Sequence, residues 1–358
     1  MEQFTGTRAV LPQHAFDQLA LEAWLRLNVP DFSGPLTVEQ FKGGQSNPTY
    51  KLVTPVRSYV MRTKPGPAAK LLPSAHAIAR EFRVMSALAL TGVPVATMHA
   101  LCEDESVIGR AFYLMAFIEG RVLWDQALPG MSKTERGAIY DEMNRVIATL
   151  HDVDPRSVGL ADYGKPGNYF ARQISRWSKQ YLASVTADIP QMHQLIDWLP
   201  AHMPDSAQDD TQVSIVHGDF RLDNLIFHAA EPRVIAVLDW ELSTLGHPLA
   251  DFSYHCMAWH IPPGVFRGIG GLDHAGLGIP SEREYVRRYC ERTGRGDPDS
   301  VLADWNFYLA YNLFRLGAIT QGIARRVVDG TAASAQARAT GAATRTLAEM
   351  AWSFAQKA

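Results

Sequence analysis

Asp219 stands two residues after His217 and five before Asn224, in the run Val216-His217-Gly218-Asp219-Phe220-Arg221-Leu222-Asp223-Asn224-Leu225-Ile226-Phe227. A carboxylate that can take a proton from a hydroxyl, followed at this interval by an amide oxygen that can hold a metal ion, has the spacing of a phosphoryl-transfer loop. Leu225 to Phe227 is a short apolar run, His228 to Pro232 is turn-like, and Val234-Ile235-Ala236-Val237-Leu238 is a β-rich run ending at Asp239. A hairpin of that form returns Asp239 to the end where Asn224 sits. The two would then offer hard oxygen ligands from two strand ends, which suits Mg²⁺ carried in by a nucleotide's phosphates. Phosphoryl transfer asks the protein for positioning and charge neutralisation rather than covalent chemistry, so this is the minimum set. Asp and Asn as plain turn residues would account for neither the spacing nor the returning Asp239.

The elements that must position these groups lie on both sides of the loop. Upstream, Leu36 to Lys42 reads as a strand, Gly43 to Asn47 as a loop, and Thr49 to Thr54 with Ser58 to Arg62 as a hairpin around Pro55. Gly43-Gly44-Gln45-Ser46-Asn47 lies between strands and lacks the pattern G-x-G-x-x-G. It fits a phosphate-covering turn in which backbone N–H groups of Ser46 and Asn47 face the β- and γ-phosphates, with an ordinary hairpin turn as the alternative. Ser74 to Leu90 predicts a helix capped by Ser74, with Gly92 and Pro94 past its end. Ile78, Phe82 and Met85 mark its buried stripe and Glu81 the stripe's edge. A carboxylate there needs a cation, supplied by Arg62 or, on a bland reading, by Arg80 or Arg83.

His217-Gly218-Asp219-Phe220, Asn224 and Leu238-Asp239-Trp240 resemble the aminoglycoside phosphotransferase and choline kinase superfamily. Within it the chain is most similar to the kinase-like domain fused to acyl-CoA dehydrogenases, through Phe41-Lys42-Gly43-Gly44-Gln45-Ser46-Asn47-Pro48-Thr49-Tyr50, Leu72-Pro73-Ser74-Ala75-His76-Ala77-Ile78 and Leu101-Cys102-Glu103-Asp104. The resemblance runs from about residue 33 to about residue 328. It implies an α+β, bilobal protein-kinase-like fold with a small β-rich N-lobe, residues 1–118, and a larger, mostly helical C-lobe, residues 119–358. It also implies ATP and Mg²⁺ as cofactors, Asp219 as catalytic base, Arg221 steadying the γ-phosphoryl group, and Asn224 and Asp239 as metal ligands. Arg62 stands where the superfamily usually has a phosphate-binding Lys, paired with Glu81. A planar fork is not interchangeable with an ammonium, so Lys64 is a second candidate for that task. Ala116 to Ile118 is the stretch whose backbone would meet adenine, Asp251 the buried carboxylate that braces the catalytic loop, and His217 a structural support beneath Asp239.

Composition narrows the class. At 358 residues the chain can bury one large or two moderate cores. A formal net charge of -3 gives no reason to expect nucleic acid or an acidic membrane surface as partner. Cys102, Cys256 and Cys290 are too few and too scattered for a disulfide framework or a zinc site, which points to a reducing compartment. No run of 18 apolar residues occurs, and the N-terminus lacks a signal-peptide pattern, so a soluble cytoplasmic protein is expected.

Helical stripes mark the rest. Phe16, Leu19, Leu21, Trp24 and Leu27 predict a helix over 14–27; Ile139, Met143, Val146, Ile147 and Leu150 stripe another, ending at His151-Asp152, which read as structural; Phe170, Ile174, Trp177 and Tyr181 stripe a third. Ala201 to Thr211 reads as a surface loop, Gly264 to Gly278 as a mobile flap, and Trp305 to Val328 and Ala332 to Phe354 as two closing helices. Trp240-Glu241 in place of Phe-Gly, with no later Ala-Pro-Glu, disfavours a protein substrate. The expectation is an ATP-dependent kinase acting on the hydroxyl of a small molecule. Arg172, Arg176 and Lys179 beside Phe170 and Trp177 favour an acceptor with an anionic end and an apolar portion, such as a hydroxyacyl-CoA, over a cationic aminoglycoside or choline. An acyl-CoA dehydrogenase would then be a functional partner. The alternative is a non-catalytic nucleotide-binding module, suggested by Arg62 and the missing glycine triad.

Overall fold

A computed structural model describes residues 6–42, 47–64, 78–165, 167–331 and 335–358. In chain order its strands are β1 (Thr7–Arg8), β2 (Thr37–Phe41), β3 (Thr49–Val53), β4 (Ser58–Thr63), β5 (Met98–Cys102), β6 (Phe112–Ala116), β7 (Arg121–Val122), β8 (Ser214–Val216), β9 (Leu225–Phe227), β10 (Val234–Val237) and β11 (Thr244–Gly246). The helices are α1 (Gln18–Asn28), α2 (Ile78–Leu88), α3 (Lys133–Asp152), α4 (Tyr169–Ser184), α5 (Pro190–Ala201), α6 (Asp205–Gln208) and α7 (Pro248–Cys256). They continue with α8 (His274–Leu277), α9 (Glu282–Thr293), α10 (Pro298–Ala303), α11 (Trp305–Val328), α12 (Ala335–Ala342) and α13 (Thr344–Ala355). The chain divides into two compact units, Met1–Trp124 with Asn224–Ser243, and Asp125–Asp223 with Thr244–Ala358. The sequence division at 118/119 lies close to the first of these boundaries, but Asn224–Ser243 groups with the first unit.

The first unit is built on a six-stranded antiparallel sheet in the order β1-β2-β3-β4-β6-β5. Register sets Arg62 of β4 opposite Thr49 of β3 and Tyr113 of β6, well inside the sheet. Leu21 and Leu25 of α1 are fully buried against Tyr50, Leu52, Met61, Phe112 and Leu114, and each such side chain contributes about 1.5–3 kcal/mol on leaving water. Asp17 caps α1 by accepting from the amides of Leu19 and Ala20, so the helix begins after, not at, His14. Leu19 and Leu27, expected on its buried stripe, are exposed. At 3.6 residues per turn, positions 21 and 25 share one face while 19 and 27 fall on the opposite side.

On α2, Ile78, Glu81, Val84, Met85 and Leu88 form the buried face, so Glu81 lies on the stripe itself and Phe82 is half-buried. The expected cap Ser74 is outside the described residues. A second small sheet, β10-β9-β7, holds the hairpin that carries Asn224 and Asp239. Gly120 leaves room for this sheet, since a Cβ there would lie 2.4 Å from the Phe227 carbonyl oxygen.

The second unit is helical apart from the antiparallel pair β8 and β11. Ser132 and Glu135 form a capping box at the start of α3, whose expected stripe of Ile139, Met143, Val146, Ile147 and Leu150 is buried. Phe170, Ile174, Trp177 and Tyr181 are likewise the buried face of α4. The core helix is α11, buried from Trp305 to Ala318 apart from a half-buried Asn306. The predicted loop 201–211 contains α6, where Ala207 is buried and the Ser206 hydroxyl meets Tyr308. The single predicted closing helix is two, α12 and α13, with Gly341 seated against Ala324 and the Thr344 hydroxyl bonded to the Gly341 carbonyl. The stretch Gly264–Gly278 is tied down by backbone bonds, Ile269 N–H to Ala258 and Gly270 N–H to Ile261, both 2.8 Å. Among the described residues no helix is long and apolar enough to cross a membrane.

Candidate active site

In the sheet-based unit the site is assembled around Arg62. Its Nε lies 3.2 Å from Glu81 Oε2, and its Nη2 donates at 2.9 Å both to Asp239 Oδ1 and to Glu241 Oε2. The strand–helix pairing expected from sequence is therefore present, and Arg80 instead meets the Ser243 carbonyl at 3.4 Å. Lys64 is turned to Glu105 at 3.1 Å on the exposed side, which leaves Arg62 as the buried cation of this group.

Glu81 is 2% exposed and also accepts from the Tyr113 hydroxyl at 3.0 Å. Burial pushes its carboxyl up, while Arg62 and the Tyr113 hydrogen bond pull against that. Burial works to lower the Arg62 guanidinium, but Glu81, Tyr113, Asp239 and Glu241 together hold it above its ordinary value. The Asn47 amide, itself buried, donates weakly at 3.4 Å to both Glu81 and Glu241. Ser46 lies outside the described residues.

The hairpin supplies the remaining oxygen donors. The Leu238 amide donates to the Asn224 carbonyl at 2.8 Å, so the residue just before Asp239 is fixed at the residue just before β9. Trp240, buried, donates from its indole to the Val237 carbonyl at 2.9 Å. Asp239 has φ +66°, a left-handed conformation that Asp tolerates better than most residues, and it is the most open carboxylate of the group. One guanidinium thus faces three carboxylates, an arrangement with room for further positive charge. Ala116 closes β6, its amide bonded to the Thr97 carbonyl at 2.8 Å, and Ile118 follows two residues later, half-buried.

In the helical unit, Asp251 at the start of α7 accepts the amides of His217 at 2.7 Å and Gly218 at 2.8 Å, and meets His151 Nε2 at 3.3 Å. Burial alone would raise this carboxyl, but the His151 hydrogen bond and the charge and amide of His217 carry it below the usual range. Gly218 has φ +83°, so the turn that presents Asp219 needs a residue free of Cβ. His217 is buried and its Nδ1 accepts the Asp219 amide at 3.2 Å, a structural role within the loop.

Asp219 Oδ1 accepts from the Tyr254 hydroxyl at 2.7 Å, while Arg221 approaches both oxygens, Nε to Oδ1 and Nη2 to Oδ2 at 3.1 Å each. Arg221 also lies 3.5 Å from Asp223, which pairs in addition with Arg267. Beside this group is an open pocket lined by Arg221, Tyr254, Met257, Ile261, Phe266 and Leu316, with no carboxylate in its lining among the described residues. On α4, Arg172 donates to the Lys165 carbonyl at 2.6 Å, Arg176 lies over the Trp177 ring, and Lys179 is exposed.

Tyr254, Arg315 and Glu241 are site residues that sequence spacing does not single out. Glu241 is visible only as the residue replacing a glycine after Asp239. Arg315 leaves one sequence trace, a charge in the middle of an apolar helical run, Leu313-Phe314-Arg315-Leu316.

Residues 37–296 match the phosphotransferase enzyme family (APH), and the chain belongs to that family. It is 48% identical over 355 residues to mouse (Mus musculus) acyl-CoA dehydrogenase family member 10, covering 98% of this chain and 32% of the mouse protein. The chain therefore spans about a third of that relative. Among solved structures, a protein from Ralstonia eutropha JMP134, named provisionally as an aminoglycoside phosphotransferase, is 64% identical with a TM-score of 0.87, covering 96% of this chain and 99% of that one. A thermostable mutant of aminoglycoside phosphotransferase APH(4)-Ia, in complex with AMP-PNP and hygromycin B, has a TM-score of 0.57 at 16% identity, covering 94% and 98% of the two chains. The fold is thus the α+β, protein-kinase-like one implied by the resemblance.

Proposed function

We propose that this chain is a cytoplasmic, ATP- and Mg²⁺-dependent small-molecule kinase that transfers the γ-phosphoryl group to an acceptor hydroxyl. The observation that carries the proposal is Asp219 itself: a carboxylate on a loop braced by Asp251, oriented through both oxygens, and followed at the phosphoryl-transfer spacing by Asn224 and Asp239. Asp219 takes the acceptor's hydroxyl proton as its oxygen bonds to the γ-phosphorus and the bond to the β,γ-bridging oxygen breaks, releasing ADP. Arg221 moves between the carboxylate and the γ-phosphoryl oxygens. Arg62, held by Glu81, presents its guanidinium to the α- and β-phosphates, and the backbone of Ser46 and Asn47 covers the β- and γ-phosphates.

The cation fits the donor chemistry, since one guanidinium against three carboxylates leaves negative charge to neutralise. Asn224 and Asp239 would hold Mg²⁺, which supplies charge neutralisation on the phosphates. With only two protein ligands and the rest drawn from phosphates and water, the site needs no cluster of three His, Cys, Asp or Glu, and none is present among the described residues. AMP-PNP in the APH(4)-Ia complex, an ATP analogue, supports a nucleotide at this site. Ala116 and Ile118 are assigned to adenine.

For the acceptor, the pocket beside Asp219, where Met257, Ile261, Phe266 and Leu316 face Arg221 and Tyr254 with no carboxylate in the lining among the described residues, and the cations of α4 favour a compound with an apolar portion and an anionic end. The mouse relative's name, acyl-CoA dehydrogenase family member 10, supports a hydroxyacyl-CoA, with an acyl-CoA dehydrogenase acting on the same pool. A coupled ATP-consumption screen over 3- and 4-hydroxyacyl-CoAs, choline, sugars and aminoglycosides tests the assignment. We expect hydroxyacyl-CoA turnover that falls when Arg172 and Arg176 are both replaced by Ala; preferred turnover of a cationic acceptor with the acyl-CoAs inert would overturn it. Nucleotide binding with no transfer to any acceptor would favour the binding-module alternative.

A further inference from the structure

The carboxylate of Asp219 is steered from beneath by two residues far from it in sequence. Tyr254 lies one helical turn after Asp251 on α7, so one face of that helix both braces the backbone of the loop and bonds its carboxylate. Arg315 of α11, buried, donates from Nη2 to the Gly218 carbonyl at 2.6 Å. Its guanidinium also lies 4.8 Å from the Tyr254 ring centroid and 5.6 Å from that of Trp177. Gly218 is thereby gripped at its N–H by Asp251 and at its C=O by Arg315, in a left-handed turn. α7 is itself fixed to α11, since Asn312 donates to the Ala250 carbonyl at 3.0 Å and to the Ser253 hydroxyl at 2.8 Å.

We propose that Tyr254 and Arg315 are positioning residues for phosphoryl transfer: Tyr254 sets the rotation of the Asp219 carboxylate by holding Oδ1, and Arg315 holds both the Tyr254 ring and the Gly218 peptide. This rests on Asp219 being the base. An unheld carboxylate rotates about its last torsion. With Oδ1 engaged by the phenol, Oδ2 is the oxygen left to receive the acceptor's proton once Arg221 turns to the phosphoryl group. Burial pushes the Tyr254 hydroxyl up, so it stays protonated and remains a donor across the working pH range. Orientation errors of this kind act on the chemical step rather than on nucleotide affinity.

The test is Tyr254→Phe, which keeps the ring and its contact with Arg315 and removes only the donor. It is measured beside Asp219→Asn on the full chain, with Mg·ATP and the best acceptor from the screen. The expected result is a kcat lowered by about ten- to a hundredfold, a KM for ATP within about twofold of wild type, and an unchanged melting temperature. A crystal structure of the variant should show the Asp219 carboxylate rotated or spread over two orientations while the Gly218 backbone stays in place; this readout needs no acceptor. A wild-type kcat, or an Asp219 carboxylate in its original orientation, overturns the proposal. Turnover retained by Asp219→Asn would instead defeat the assignment of the base, whatever Tyr254→Phe does. Arg315→Lys keeps the charge and a donor to Gly218 but loses the guanidinium over the Tyr254 ring, and should lower kcat in the same direction by less; a loss seen only in KM would count against the role.

Discussion

The surroundings of Arg62 and those of Asp219 solve opposite problems. Around Arg62, carboxylates from α2 and from the segment after β10 converge on a single guanidinium, so charge is left over for a further cation. Around Asp219 the charges are nearly spoken for: Asp251 accepts two amides, Asp219 a phenol and a guanidinium, and Asp223 meets two arginines. A site that gathers Mg·ATP benefits from incomplete neutralisation. A base that must take one proton in one direction benefits from complete orientation.

The largest effect that sharpens this contrast is on stability. Replacing Arg62 with Ala leaves Glu81 buried beside two other carboxylates, Asp239 and Glu241, and we expect a loss of about 3–5 kcal/mol in chemical denaturation, together with loss of stabilisation by Mg·ATP. Arg62→Lys should keep most of the stability and weaken nucleotide binding, because the ammonium cannot fork between three carboxylates. An Arg62→Ala protein as stable as wild type would mean that the cluster is not the tether it resembles.

Acid should act on the helical unit first. Burial lowers His247 and His255 to about 4 each, whereas an unfolded imidazole titrates near 6.5. Between those values the unfolded chain binds the proton and the folded one does not, so stability falls as pH drops from about 6.5 to about 4, by up to about 3 kcal/mol per residue. Melting curves over that range check it, and a flat profile would contradict it. Asp251 works in the other direction along the scale: its depressed carboxyl contributes in full above the unfolded value near 3.9 and is lost only as pH falls below that. Asp251→Asn should cost about 2 kcal/mol at neutral pH, by setting an amide N–H group against backbone donors, and should reduce turnover through the loop.

How much of this was legible in the chain depends on where the signal sits. Asp219, Asn224 and Asp239 are readable because a local hairpin fixes their relation, and the Leu238–Asn224 hydrogen bond is that hairpin closing. Glu81 is readable because an acid inside a helical stripe needs a partner, although the stripe runs through it rather than beside it. Asp251 came only through resemblance. Tyr254 and Arg315 stand 35 and 97 residues from the groups they bond, Asp219 and Gly218, and no periodicity encodes a contact made by packing two helices. The misplaced Leu19 and Leu27 show the converse limit: counting apolar residues finds a helix, but the face is set by which of them meet the sheet.

The most direct measurement is Asp219→Asn, assayed for phosphate transfer from Mg·ATP to the best acceptor and, on the same preparation, for thermal stabilisation by Mg·ATP. The account predicts that turnover falls by about a hundred- to ten-thousandfold, while the nucleotide-dependent rise in melting temperature matches wild type, because the group that gathers the nucleotide is built around Arg62. Turnover near the wild-type value, or loss of the nucleotide-dependent rise along with activity, would contradict it.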